Sequence, residues 1–239
     1  MSRFAADLWP LLASSPIVWL VLTLGGYLAG RVLQNASRGA PFVNPVLIAI
    51  LVVIAALAAS GTSYRSYFAD AQPIHFLLGP ATIALAVPLA RHFALIKINL
   101  RSVGLALLAG SASAIVSGVA IVRICAGSHT VALSMASKAA TTPIAMAVSQ
   151  QVGGMPELTA SLAILGGITA AVAGQWIFTL LAISDWRVRG LAAGVAGSGI
   201  AAANVAARDE TGAAFAAIGV GMNGLLTALL VPFFVVLWH

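Results

Sequence analysis

The chain has 239 residues, 61% of them hydrophobic and only 8% charged, with a formal net charge of +6. A soluble domain carries about a quarter charged residues, so these proportions exclude a water-soluble globule and indicate an integral membrane protein. The cations Arg31, Arg38, Arg65, Arg91, Lys97, Arg101, Arg187, Arg189 and Arg208 are scattered among short connecting segments. They form no basic stripe with interleaved aromatics, which argues against a nucleic-acid partner and for loops facing a cytoplasm and anionic lipid.

A membrane span takes about 20 apolar residues. Residues 16–33 supply the first, read as a retained span rather than a removed signal peptide. Ser15-Pro16 predicts its start, a hydroxyl N-cap followed by proline at the first helical position. Residues 45–60 open the same way with Asn44-Pro45. Residues 76–90 are apolar but short, with Pro80 and Pro88 inside. Residues 102–124 form a full span rich in Gly, Ala and Ser. Residues 130–149 hold a lysine and a proline. Residues 158–182 form a full span that begins after Pro156-Glu157, an acid suited to a positive helix end. Residues 190–207 are built of tiny side chains, and 213–237 form the last full span. The pattern predicts an all-α polytopic membrane protein, one transmembrane domain over residues 1–239, with about seven or eight hydrophobic segments, some broken or re-entrant.

Ordinary spans alternate with the odd segments 76–90, 130–149 and 190–207. Glycines recur eight residues apart at Gly110 and Gly118 and again at Gly166 and Gly174, and Gly219, Gly221 and Gly224 crowd the last span. This indicates internal repetition. Paired, interrupted hydrophobic segments point to a transporter's binding site, whereas small residues alone also serve close helix packing. Charge adds a topological clue. If 76–90 crosses the membrane, Arg31 and Arg38 share a side with Arg91, Lys97 and Arg101, which places the N-terminus outside. Arg187 and Arg189 then join that cytoplasmic side if 130–149 enters and returns, or otherwise does not cross simply.

Lys138 is the one permanent charge between Arg123 and Glu157. A lysine at the centre of a spanning helix costs about 2.5–3.5 kcal/mol, so it either snorkels to a surface, pairs, or faces water. Pro143 has no N–H and deprives the Ala139 carbonyl of its helical partner. Irregular backbone at that depth is tolerated only where protein or a cavity covers it. Lys138, Thr141, Thr142 and Pro143 together therefore form a candidate site for a small anion. Further candidates are Thr82, Ser198, Asn204 and Asn223. An asparagine such as Asn204 in a membrane segment usually hydrogen-bonds to another helix, whereas a break at Gly197 or Gly199 could bring Ser198 and Asn204 toward one cavity; Asn223 shares a helical face with Thr227.

The chain has no H-E-x-x-H, Walker loop or G-x-S-x-G motif, and every acid lies in or beside a predicted loop or the N-terminus. With one cysteine and four dispersed histidines (His75, His92, His129, His239), no enzyme activity, metal or cofactor is expected.

LLGPATIALAVPL (77–89), KAATTPIAMAVSQQVGGMPELTA (138–160), RGLAAGVAGSGIAAANVA (189–206) and GAAFAAIGVGMNGLLTALLVPF (212–233) resemble the LrgB/CidB family, in order and over nearly the whole chain. The resemblance implies a multi-pass protein of the bacterial inner membrane. The family was first described as holin/antiholin-like modulators of murein hydrolases and autolysis, and it includes a plant plastid glycolate/glycerate transporter and members linked to pyruvate uptake. A repeat-based carrier fold would be consistent with the odd segments. The expected partners are a small carboxylate substrate, the lipid bilayer, a small LrgA/CidA-like membrane subunit and further copies of the chain. The family pattern has proline before the motif lysine and Ser-Val after it, where this chain has Ser137 and Ala139-Ala140. It has histidine and then Gly-Thr where this chain has Ser198 and then Ala201-Ala202. The expected function is carriage of small monocarboxylates such as glycolate, glycerate, lactate or pyruvate. Lys138 would supply charge, and Thr141 and Thr142 hydrogen bonds. The alternative is a holin/antiholin-like modulator of murein hydrolase export that acts through its partner.

Overall fold

The computed structural model describes residues 15–37, 43, 45–77, 80, 83, 90 and 93–238. The described residues form eleven helices and no strand. Four helices are long and apolar enough to cross a membrane, within Pro16–Ala36, Leu100–Ile124, Pro156–Leu180 and Glu210–Val236, and Pro45–Ser60 is a shorter apolar helix. The protein is therefore an all-α, multi-pass membrane protein. The expected segment 76–90 lies mostly outside the described residues. The chain divides into two compact units, Met1–Pro80 and Ala81–His239.

In the first unit, α1 (Pro16–Ala36) and α2 (Pro45–Ser60) pack through glycine. A side chain at Gly30 would lie 2.7 Å from the Cα of Pro45, so only glycine lets the backbones meet. Ser15 occupies the N-cap position as expected, but its hydroxyl makes no capping bond, and proline alone opens α1. The short helix α3 (Tyr64–Asp70) is capped by Ser63. Its Tyr67 ring meets the buried Trp19 ring edge-on at 5.6 Å. The short α4 (Gln72–Phe76) follows.

The second unit begins with α5 (Phe93–Ile98) and α6 (Leu100–Ile124). It continues with α7 (His129–Ala136), α8 (Thr142–Gln151), α9 (Pro156–Leu180), α10 (Trp186–Ala206) and α11 (Glu210–Trp238). Helices α6 and α11 run side by side in the same direction. Val103 and Leu107 cluster with Phe215 and Ile218 near their starts, and Ile115 and Val119 with Val231 and Val235 near their ends.

Between them lie two helical hairpins. In the first, α7 and α8 are antiparallel. Ser137 Oγ donates to Ala145 O at 2.9 Å. Nearer the base, Thr159 Oγ1 lies 2.7 Å from Ser149 Oγ and 3.0 Å from Ser134 O, while Met155 N–H donates to Ser134 Oγ at 2.8 Å. Both ends of residues 129–151 thus lie at the face where α6 ends and α9 begins, so the segment enters and returns, one of the arrangements that the arginine pattern allowed.

The second hairpin is α10 itself. Along its first limb, Gly190 and Gly194 pack onto Gly212, Ala216 and Val220 in parallel with α11. At Ser198 the backbone takes φ 50°, ψ −142°, and the chain reverses. The returning limb runs parallel to α9. A side chain at Gly167 would lie 2.9 Å from Ile200 Cδ1, Asn204 Nδ2 donates to Ala171 O at 3.5 Å, and Arg208 donates to Gln175 at 2.9 Å. The base of this hairpin therefore lies where α9 ends and α11 begins, opposite to the first. Arg189 fastens that base, stacked 4.8 Å from the Trp186 ring and 5.8 Å from the Phe178 ring. Of the described cations of this unit outside the hairpin tips, Lys97, Arg101, Arg187, Arg189 and Arg208 fall on one face and Arg123 on the other.

Candidate functional site

The two hairpin tips meet beside the middle of α6 and α11, and one side chain joins them. Asn223, 1% exposed, donates from Nδ2 to Ala139 O at 2.9 Å and to Val195 O at 3.2 Å. Its Oδ1 accepts from Ser111 Oγ at 2.6 Å. Ala139 lies in the turn of the first hairpin. Val195 lies one turn before the reversal in the second, where its carbonyl would otherwise serve the interrupted helix. A primary amide has two N–H donors, and both are committed here. Asn223, expected among the lining residues, is thus placed as the clasp of the two tips. Ser111, its partner on α6, was not singled out from sequence; the available signal was a serine amid apolar residues of a full span.

The first tip is residues 137–141. Pro143 sits at the start of α8 rather than inside a longer helix, where its fixed φ favours the first turn and no N–H is missed. The break expected from Pro143 is present, and the Ala139 carbonyl that it frees is taken by Asn223. Thr141 is the N-cap residue of α8, yet its hydroxyl makes no capping bond. Its Oγ1 is buried with no hydrogen-bond partner among the described residues. Thr142 is the first residue of α8. The positive end of α8 begins at this tip, beside the carbonyl end of α7.

Lys138 projects from the same turn. Its stem packs on α6 at Gly118, where an added methyl would lie 3.5 Å from Lys138 Cε and 3.2 Å from Met135 Cγ. Gly110, eight residues earlier, admits Val195 of the other hairpin in the same way. The paired glycines of α6 thus seat one hairpin each. Lys138 opens into a cleft of about 560 Å³ between the first tip, α9 and the inner limb of α10, and Gly166 and Gly174 line it. Among the described residues Lys138 makes no ion pair or hydrogen bond through its ammonium; the one salt bridge there joins Arg187 to Asp185 at 2.8 Å. That arginine holds the Asp185 carboxyl below its ordinary range, chiefly through the side-chain hydrogen bond.

Ser198 is the reversing residue of the second tip, between the two glycines where a break was expected. Its positive φ is unusual for a residue with a Cβ, and Gly197 beside it has no room for one, since Ala201 Cβ and Ala170 Cβ would lie within 2.7 Å. Asn204 does not join it. Six residues down the returning limb, Asn204 is held against α9 through Ala171. Thr82 lies outside the described residues. Among the described residues no cluster of three or more His, Cys, Asp or Glu side chains could hold a metal ion.

Residues 23–237 match the LrgB-like family. The chain belongs to that family. It is 32% identical over 225 residues to the antiholin-like protein LrgB of Bacillus subtilis (strain 168), covering 92% of this chain and 96% of that one. It is 28% identical over 220 residues to the proteins of the same name from Bacillus mycoides (strain KBAB4) and Bacillus cereus (strain B4264), with the same coverage. No solved structure matches it.

Proposed function

We propose that this LrgB-like protein is a carrier of monocarboxylates in a bacterial inner membrane. The observation that carries the reading is the pair of oppositely directed hairpins whose tips are clasped by Asn223 with Lys138 at one of them. Broken helices meeting at mid-membrane are how secondary transporters build ligand sites. The clasp takes one carbonyl from each break. The cleft receives the Lys138 ammonium, while the start of α8 and the buried, unpartnered Thr141 hydroxyl belong to the same tip outside the cleft lining. Such a site suits a carboxylate, with Lys138 as the charge and Thr141 and Thr142 as hydrogen-bond donors. Pro143 and Asn223 act by shaping it. The excess of arginines on the face of Arg101 and Arg187 makes that face cytoplasmic.

Uptake of labelled glycolate, lactate and pyruvate into proteoliposomes, with and without a pH gradient, tests the reading. Saturable uptake that discriminates among solutes supports it. Unselective leak of all three, or none at all, contradicts it.

The names of the relatives, antiholin-like proteins LrgB, favour a second reading, an antiholin-like modulator; the family resemblance adds a small LrgA-like membrane subunit as its partner. Under that reading, function depends on assembly with the partner, and Lys138→Ala leaves it intact.

A further inference from the structure

We infer that the Lys138 cleft selects monocarboxylates with an apolar tail of four or more carbons over short hydroxy acids. This rests on the reading of Lys138 as the carboxylate anchor. Clefts of about 300–1,000 Å³ suit ligands of drug size, and this one measures about 560 Å³. A two- or three-carbon acid fills only its end. Beyond Lys138 the walls are apolar, including Leu162, Leu165, Ala173, Ile177 and Phe178. Thr169 carries the only side-chain hydroxyl of the described lining, and it donates that hydroxyl to Leu165 O at 2.8 Å. Its proton is thus committed, and the Thr169 hydroxyl is not left unpaired when a ligand brings no hydroxyl of its own. Discrimination for a hydroxyl needs a polar partner that goes unpaired without it, whereas each buried methylene tightens binding about fourfold.

Gly166 sets the width of the cleft. It lines the wall, and a Cβ added there meets nothing within 4 Å. A larger residue at this position therefore intrudes on the cleft without clashing with the fold.

The test is equilibrium binding of acetate, glycolate, butyrate, hexanoate and phenylacetate to the full chain in lipid nanodiscs. It compares wild type, Lys138→Ala and Gly166→Leu, with hexanol as the uncharged control for partition into lipid. Wild type should bind hexanoate about a hundredfold or more tighter than acetate, hexanol weakly, and glycolate no better than acetate. Lys138→Ala should lose all the acids, and Gly166→Leu should reduce the hexanoate-to-acetate ratio at least about tenfold. Glycolate binding tightest, or equal binding of all acids, with loss in Lys138→Ala, overturns the tail preference and leaves the anchor standing. Binding unchanged in Lys138→Ala, or binding of no acid, overturns both.

Discussion

Asn223 is the residue on which both breaks depend. Replacing it with alanine leaves the carbonyls of Ala139 and Val195 and the hydroxyl of Ser111 without their partner. A buried polar group stripped of its partner costs about 1–3 kcal/mol, so Asn223→Ala should destabilise the protein by about 2–5 kcal/mol. Ser111→Ala should cost about 1 kcal/mol, and the double variant should fall short of the sum because the two share one bond. Denaturant unfolding in detergent reads all three, and strict additivity would refute the clasp. Ser198 makes the opposite prediction. Its backbone conformation costs about 1–3 kcal/mol in a residue with a Cβ, so Ser198→Gly should raise stability, whereas Ser198→His, the residue of the family pattern, should not. A lower unfolding midpoint for Ser198→Gly would show that the serine stabilises the reversal.

Glycine decides how closely the elements pack. Along the inner limb of α10, a side chain at Gly194 would run into the backbone of Ala216 and come within 2.9 Å of Val220 N, while one at Gly104 on α6 meets nothing within 4 Å. Gly194→Ala should therefore lower stability by several kcal/mol or prevent folding. Gly104→Ala should be neutral or gain about 0.5–1 kcal/mol from helix propensity. Melting of the two purified variants separates a packing role from a general dislike of substitution; equal behaviour would contradict close packing of α10 on α11. At this scale the sequence was readable where a residue acts locally. Pro143 marked an interruption of segment 130–149, and Gly197-Ser198-Gly199 marked a break. It did not reveal that the chain reverses at Ser198, because the reversal shows only in contacts of the returning limb with α9. Nor did it reveal that the Ala139 carbonyl is satisfied from Asn223, 84 residues away in sequence. The clamp of Ser134, Ser149 and Thr159 was missed for the same reason. Scattered hydroxyls in apolar segments are its sole signature, and they equally suit solitary back-bonding to a helix.

Among the described residues of the second unit, three spans alternate with two re-entrant hairpins of opposite sense. α6 is followed by a hairpin from one face, α9 by a hairpin from the other, and α11 completes the unit. The order of the hydrophobic segments from 102–124 to 213–237 was legible from composition, whereas their direction needed both charge and contacts. The arrangement predicts which residues share a membrane face. With Cys125 replaced by serine, cysteines at Ser128 and Glu157 should react with a membrane-impermeant thiol reagent from one side, and cysteines at Arg187 and Arg208 from the other. If 129–151 and 186–206 were simple spans, each pair would be split between the faces.

The carrier reading depends most on Lys138, and one measurement addresses it directly: counterflow of labelled pyruvate in proteoliposomes reconstituted with wild type, Lys138→Ala and Lys138→Arg, each verified as monodisperse. A charge-assisted hydrogen bond contributes about 1.5–3 kcal/mol. Lys138→Ala should therefore weaken the half-saturating concentration at least about tenfold or abolish saturable exchange, and Lys138→Arg should keep only part of the activity, because a planar fork does not replace a compact ammonium. Saturation by Lys138→Ala at the wild-type concentration, with the wild-type rate, would contradict it.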